Sequence, residues 1–126
     1  PNENETEILT GIRPTTLDDC LRASMALMNA VDIKYVVLKL GARGCYIYDG
    51  KYCDIISPYD VQPVDTTAAG DAFTAALTLE YLRTGDIITA ARFANAVGAL
   101  TVTKVGAITS LPTRKEVEQF IIDSIS

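Results

Sequence analysis

The stretch that decides the fold runs from Val64 to Leu77 and reads VDTTAAGDAFTAAL. Three small residues, Ala68, Ala69 and Gly70, stand directly before Asp71 and a run of helical period. The first turn of a helix offers backbone N–H groups and a partial positive charge. Because small side chains let an anion come close to those groups, the stretch predicts an anion site at the start of a helix.

Asp71 would lie beside that anion. A carboxylate next to a bound phosphate can orient a hydroxyl group and accept its proton while the oxygen attacks phosphorus. The alternative is a tight loop whose acidic first turn only stabilises the helix. Taken alone, this stretch is compatible with phosphoryl transfer and with a purely structural role.

The remaining chain alternates between helical and extended patterns. Helices are predicted at 2–9, 16–30, 69–84, 86–103 and from Thr113 onward, and strands at 35–40, 45–48 and 52–56. The first strand is apolar throughout, as is typical of a buried parallel strand. The other two strands read as a hairpin that turns at Asp49 and Gly50. We therefore predict an α/β fold with a mostly parallel sheet plus a β-hairpin.

The helical period also predicts which side chains are buried. In the helix at 16–30, one face holds Leu17, Leu21, Ser24/Met25 and Met28. In the helix at 69–84, the residues at core spacing are Phe73, Ala76/Leu77 and Tyr81. In the helix at 86–103, the inward residues are Ala90, Phe93/Ala94, Val97 and Leu100/Thr101.

The composition excludes several classes of protein. The chain has 126 residues, of which 48% are hydrophobic and 21% charged, so it is globular. Its net charge of -5 and scattered basic residues argue against a nucleic-acid partner. It contains no histidine, which excludes Ser-His catalysis and histidine metal sites. No apolar run approaches the roughly 18 residues of a membrane span.

Three cysteines, Cys20, Cys45 and Cys53, show no metal-binding spacing. Their odd number and the absence of a secretory signal predict free thiols in a reducing cytoplasm. The alternative is a disulfide between Cys45 and Cys53 across the hairpin. Since the chain opens on Pro1 without an initiating methionine, we expect it to begin inside a longer protein.

The run from Asp65 to Thr78 closely resembles the C-terminal signature of the ribokinase-like (PfkB-type) carbohydrate kinases. Three further segments resemble that family in the same order: PNENETEILTG at 1–11, KLGARG at 39–44 and ARFANAVGALTVTKVGAITSLP at 91–112. Together they cover nearly the whole chain. Within the family, the resemblance is greatest to the ribokinases.

This resemblance implies a ribokinase-like, Rossmann-like three-layer sandwich. Residues 1–126 would be its C-terminal nucleotide-binding portion, without the N-terminal sugar-binding part and lid. The implied enzyme transfers the γ-phosphoryl group of ATP to a primary hydroxyl of a pentose such as D-ribose. Fructokinase, adenosine kinase and other nucleoside kinases remain alternatives, as does a non-catalytic nucleotide-binding or dimerisation module.

The resemblance also assigns roles to residues. Asp71 matches the catalytic base, Asp71 and Asp65 match the substrate side, and Ala68, Ala69 and Gly70 match the anion hole. Asn2 and Glu5 match a pair that manages Mg²⁺ and the phosphates through water, although the same two residues also form a capping-box pattern.

Further matches concern the nucleotide and a cation. The nucleotide-binding turn comprises Lys39, Leu40, Gly41, Ala42, Arg43 and Gly44. Its alternative is an ordinary turn that needs glycine. Asn95 matches a position beside adenine, with a packed polar residue as the alternative. A monovalent cation, K⁺, would be held by Asp65, Thr67, Thr101, Lys104, Gly106 and Ser110, unless this loop only packs beneath the anion hole.

The expected partners are a small sugar and ATP, with Mg²⁺ and K⁺ as ions. The full-length protein is expected to be a homodimer. The chain by itself should be nearly inactive as a kinase, because positioning of the acceptor supplies much of the catalysis. It should also self-associate or be partly disordered near Pro1, since apolar sheet surface and a strand edge would be exposed.

Overall fold

The structure, a computed structural model, describes residues 1–59, 61, 69–103 and 112–125. The elements are α1 (Glu3–Thr10), α2 (Leu17–Ala30), β1 (Val36–Lys39), a 3₁₀ turn (Gly41–Arg43), β2 (Cys45–Tyr48), β3 (Cys53–Ile56), α3 (Ala69–Thr84), α4 (Ile87–Val102) and α5 (Arg114–Ile125). They form two compact units, Pro1–Ser57 and Pro58–Ser126. The predicted α/β class is confirmed.

The helix ends follow the predicted capping residues. Asn2 Oδ1 accepts from Glu5 N at 2.7 Å while Asn2 N donates to Glu5 Oε1 at 2.8 Å, which completes the capping box of α1. Thr113 and Glu116 form the same reciprocal pair at α5, with both bonds at 3.2 Å. Gly11 ends α1 in the left-handed conformation with φ of 75°. Local sequence therefore sets these boundaries.

The sheet corrects the predicted strand direction. β1 pairs with β2 and β2 with β3, both antiparallel, so the prediction of a mostly parallel sheet is wrong for the described strands. Only residues 40–44 join β1 to β2, whereas a parallel pair needs a crossover of about a dozen residues. The apolar run of β1 reflects burial instead, since every residue of this strand is buried or half-buried.

The hairpin register separates the two cysteines of the proposed disulfide. Cys45 lies opposite Ile56, and Cys53 lies opposite Tyr48. The alternative of a disulfide between them is therefore wrong, and Cys20, Cys45 and Cys53 are free thiols as predicted. Burial raises the pKa of Cys45 to about 12, which makes it an unreactive core thiol.

The first unit packs α2 against the sheet through small side chains. Cys20 and Ala23 are fully buried and contact the cluster that includes Leu38. The predicted buried face of α2 is wrong in part, because Leu17 and Met25 are 61% and 44% exposed. The helix approaches the sheet with its small residues, so the face defined by larger apolar residues turns partly outward.

The second unit is built on an alanine-rich helix. Ala90, Ala94, Val97 and Thr101 of α4 are buried as predicted. These small side chains allow α3 to pack closely on α4. A Cβ at Gly98 of α4 would lie in ordinary contact with α3, 3.8 Å from the Ala69 carbonyl oxygen and 4.0 Å from Phe73 Cβ. The packing of α4 thus supports the first turn of α3.

None of the helices in the described part of the chain has the length and apolar character needed to cross a membrane.

A buried carboxylate ties α3 to α5. Glu80 is 2% exposed and accepts hydrogen bonds from Arg83 Nε at 3.0 Å and from Arg114 Nη2 at 2.6 Å. The Arg83 guanidinium, followed by that of Arg114, holds the pKa of Glu80 below its ordinary value despite burial. The helical period pointed to Tyr81 as the core residue of this turn, but Tyr81 is only half-buried.

We expect Glu80→Gln to lower the free energy of unfolding by about 1–3 kcal/mol, because two arginines lose a buried charged acceptor. Because the pKa of Glu80 is lowered in the folded state, its carboxylate contributes fully to the free energy of unfolding above the ordinary carboxyl pKa. This contribution is lost as the pH falls through the folded-state pKa of Glu80. Urea unfolding from pH 7 to pH 3 should show a steeper acid loss for wild type than for Glu80→Gln. Glu118→Gln is the control, since Glu118 is an exposed partner of Arg114 at 3.7 Å. If the free energies of unfolding of wild type and Glu80→Gln fell in parallel with pH, the result would contradict a stabilising ionised Glu80.

Ser24 offers a second test of the core. Its hydroxyl is fully buried in α2 and has no hydrogen-bond partner among the described residues. We expect Ser24→Ala to raise the free energy of unfolding by about 0.5–1 kcal/mol, because it removes a buried unsatisfied group and favours the helix. Ser124→Ala is the control. Ser124 is an exposed residue of α5, and its hydroxyl donates to the Phe120 carbonyl at 2.8 Å. Destabilisation by Ser24→Ala would show that the hydroxyl has a partner.

Candidate functional site

The first unit brings two predicted sets of site residues together. Lys39 N, at the end of β1, donates to the Pro1 carbonyl at 2.8 Å. Arg43 Nη2 donates to Glu3 Oε2 at 3.1 Å. The start of α1, which carries Asn2 and Glu5, therefore lies against the turn that follows β1. Residues nearly forty positions apart in the sequence share one surface.

Glu5 is an exposed carboxylate at this surface. The hydrogen bond from the Asn2 backbone lowers the pKa of Glu5, and the nearby Lys39 charge lowers it further. The capping bond with Asn2 N uses the Oε1 atom of Glu5. The capping role and a role toward a cation are thus compatible. No group of three or more carboxylates or thiols in the described chain could hold a metal ion by itself.

The turn at 39–44 is exposed in its middle and buried at Leu40 and Gly44. Leu40 is buried in the core, while Gly41, Ala42 and Arg43 are exposed. Leu40 N donates to the Gly44 carbonyl at 2.9 Å, which closes the turn. Gly41 has φ of 59°, and Gly44 has φ of 92° with ψ of -136°. Residues with a side chain rarely adopt the backbone conformation of Gly44, so the turn requires glycine at this position.

The second unit places the predicted base at the surface. Ala69, Gly70 and Asp71 form the first turn of α3; Ala69 is half-buried, and Gly70 and Asp71 are exposed. The start of this helix is thus accessible, as an anion site requires. Ala68 and Asp65 lie outside the described residues.

Asn95 and Thr101 lie within α4 and are poorly exposed. Asn95 is 9% exposed between buried neighbours, which agrees with a packed polar residue, and its contact with adenine stays a prediction. Thr101 is fully buried, and its hydroxyl donates to the Val97 carbonyl at 2.8 Å. The other residues predicted for the cation site, Asp65, Thr67, Lys104, Gly106 and Ser110, lie outside the described residues.

A groove of about 760 Å³ in the second unit is separate from these residues. Its lining includes Glu80, Arg83 and Arg114, with Phe93 stacked 4.7 Å below the Arg114 guanidinium. In the described chain, none of the predicted site residues lines it. It belongs to the ion cluster that joins α3 and α5.

Sequence reasoning missed two supporting features of the site. One is the set of partners of the Arg43 side chain, which lie on other segments and leave no linear pattern. The other is Gly98, which lies beneath the first turn of α3. A glycine within a helix rich in alanine is a signal of close helix packing that could have identified it.

This chain is similar to known carbohydrate kinases along most of its length. The family model described as pfkB family carbohydrate kinase matches residues 1–114. Ribokinase from Haemophilus influenzae is 37% identical over 121 residues, which cover 96% of this chain and 39% of that protein. Fructokinase-1 from Zea mays is 38% identical, covering 95% of this chain and 38% of its own. The chain spans about two fifths of the length of these relatives.

A solved structure shares the fold. The structure of Arabidopsis thaliana ribokinase complexed with ribose and ATP superposes with a TM-score of 0.87 at 36% sequence identity. The match covers 96% of this chain and 39% of that protein.

The glycine requirement of the turn can be tested by a matched pair of substitutions. We expect Gly44→Ala to lower the free energy of unfolding by about 1–3 kcal/mol, because alanine is strained in that backbone conformation. Gly98→Ala should be neutral or stabilising by up to about 1 kcal/mol, since its new Cβ makes ordinary contacts within a helix. Urea unfolding of both variants measures the difference. Equal effects would show that the turn does not depend on Gly44.

Proposed function

Because this chain belongs to the pfkB family of carbohydrate kinases, we propose that its protein transfers the γ-phosphoryl group of ATP to a primary hydroxyl of a sugar. The acceptor we propose is a pentose, D-ribose, which would give ribose 5-phosphate. The observation that carries this proposal is the accessible first turn of α3, where exposed Asp71 follows Ala69 and Gly70. A hexose acceptor such as fructose is the second candidate, because a fructokinase is as similar to this chain as a ribokinase.

Asp71 is the proposed general base. Its carboxylate accepts the proton of the sugar hydroxyl as that oxygen forms a bond to the γ-phosphorus of ATP. The bond between the γ-phosphorus and the bridging oxygen breaks, and ADP leaves with those electrons. Backbone N–H groups at 68–70 stabilise the charge on the transferring group, as donors held by a helix start can do without reorganisation.

The first unit supplies the proposed nucleotide contacts. The exposed backbone of Gly41 and Ala42 and the Lys39 side chain would contact ATP, and Asn2 and Glu5 would lie on the phosphate side. Glu5 fits Mg²⁺, because its lowered pKa keeps it ionised and Mg²⁺ retains waters that such a carboxylate can bind. When bound, Mg²⁺ neutralises charge on the phosphates.

The remaining assignments rest on the family resemblance. We propose a K⁺ effector site that includes Thr101, whose hydroxyl is already used within α4. We also propose a homodimeric, cytoplasmic full-length protein. Exposed apolar side chains such as Ile8 and Leu82 support the dimer. The free cysteines support the cytoplasmic location.

The role of Asp71 is tested by Asp71→Asn in the natural protein that contains this chain. We expect turnover of the sugar to fall by about 10²–10⁴-fold, the usual contribution of a general base. The affinity for MgATP, measured by titration calorimetry, should stay within about threefold, because the nucleotide contacts lie elsewhere. Turnover is measured with D-ribose and with fructose as the acceptor.

Asp18→Asn is the matched control. Asp18 also lies exposed in the first turn of a helix, α2, and has no proposed chemical role. Its turnover should match wild type, which separates general-base catalysis from helix stabilisation. Full turnover by Asp71→Asn would remove Asp71 from the role of base. Nucleotide binding by wild type without turnover of any sugar would favour a non-catalytic binding module.

A further inference from the structure

The Arg43 side chain is bound by three acceptors within the first unit. Nη1 donates to the Thr15 carbonyl at 2.6 Å, and Nη2 donates to the Pro14 carbonyl at 2.6 Å. Nη2 also donates to Glu3 Oε2 at 3.1 Å. The acceptors lie 28, 29 and 40 positions away in the sequence. One side chain therefore joins the turn after β1 to α1 and to the α1–α2 loop.

This set of contacts suits arginine and no other cation. A guanidinium has donors in a rigid planar fork, so it can reach two adjacent carbonyls and a carboxylate at once. The lysine ammonium concentrates its donors at one point and cannot span the same acceptors. The contacts also oppose the charge of Arg43 with that of Glu3, which weakens its attraction for any other anion.

The two segments joined by Arg43 carry the proposed nucleotide and Mg²⁺ contacts. Glu3 is the first residue of α1 and lies between Asn2 and Glu5. At the other end, Gly41 lies beside Glu3, since an added Cβ would lie 3.6 Å from Glu3 Oε1. The Arg43–Glu3 contact thus acts together with the hydrogen bond from Lys39 N to the Pro1 carbonyl to hold the turn against the start of α1.

We propose that Arg43 is a positioning residue that sets the spacing between the nucleotide-binding turn and the Asn2–Glu5 segment, and that it does not itself contact the nucleotide. This assignment rests on the proposed function and replaces the nucleotide contact that the family resemblance implies for Arg43. Arg43 acts through Glu3 and the carbonyls of Pro14 and Thr15, and it leaves nucleotide contact to the turn backbone and Lys39.

The test compares Arg43→Lys with Arg43→Met in the natural protein that contains this chain. A positioning role predicts that both variants lose kcat/KM for MgATP by a similar factor, about 10–100-fold, because both lose the fork and small displacements are costly. A direct phosphate contact predicts that Arg43→Lys keeps most activity while Arg43→Met loses it, and this result would overturn the proposal.

The Mg²⁺ dependence gives a second readout that simple loss of stability would not change. We expect the Mg²⁺ concentration for half-maximal activity to rise about threefold or more in Arg43→Lys, because Glu5 shifts relative to the bound phosphates. Arg22→Lys is the control, since exposed Arg22 pairs, among the described residues, with Asp19 alone, at 3.5 Å. An unchanged Mg²⁺ requirement in Arg43→Lys would also overturn the proposal.

Glu3→Gln keeps the inference testable if Arg43 variants do not fold. It retains the carbonyl contacts of Arg43 and weakens only the charged one, so we expect the same rise in Mg²⁺ requirement with a smaller loss of kcat/KM. An unchanged Mg²⁺ requirement in Glu3→Gln counts against the proposal. The wild-type MgATP titration separates the two levels: no binding by wild type overturns the proposed function and this inference together, whereas normal binding with unaffected variants overturns only the inference.

Discussion

The N–H groups at the start of each helix need acceptors, and this constraint organises much of the molecule. Asn2, Thr16, Asp86 and Thr113 each provide a side-chain oxygen at the start of a helix. The residues that precede α3 lie outside the described part of the chain. Under the proposed function, phosphoryl oxygens would accept hydrogen bonds from N–H groups at the start of α3.

Two charge clusters, one exposed and one built on a buried carboxylate, hold the elements that carry the site. In the first unit, Arg43 binds Glu3 and two loop carbonyls, and so connects the turn to α1. In the second unit, Glu80 binds Arg83 and Arg114, and so connects α3 to α5. In both clusters an arginine uses its fork on internal acceptors. Basic residues near a candidate anion site therefore need not contact the anion.

The sequence predicted local features well and long-range ones poorly. Helix starts and ends were predictable because capping residues and glycines act within a few positions of the boundary that they set. The strand direction was not, since apolar runs report burial and not the orientation of the neighbouring strand. The buried face of α2 was misjudged because Cys20, Ala23 and Ser24 are small, and their burial depends on how closely the sheet approaches.

The site divides in the same way. The order of small residues and Asp71, the glycines of the turn and the capping pair Asn2–Glu5 can be recognised in the sequence, because each depends on chemistry within a few residues. The tertiary structure alone decided that α1 lies against the turn, that Arg43 is bound to internal acceptors and that Asn95 is buried in α4. These properties depend on contacts between segments far apart in the chain, and the free energy of such contacts is not encoded in any local pattern.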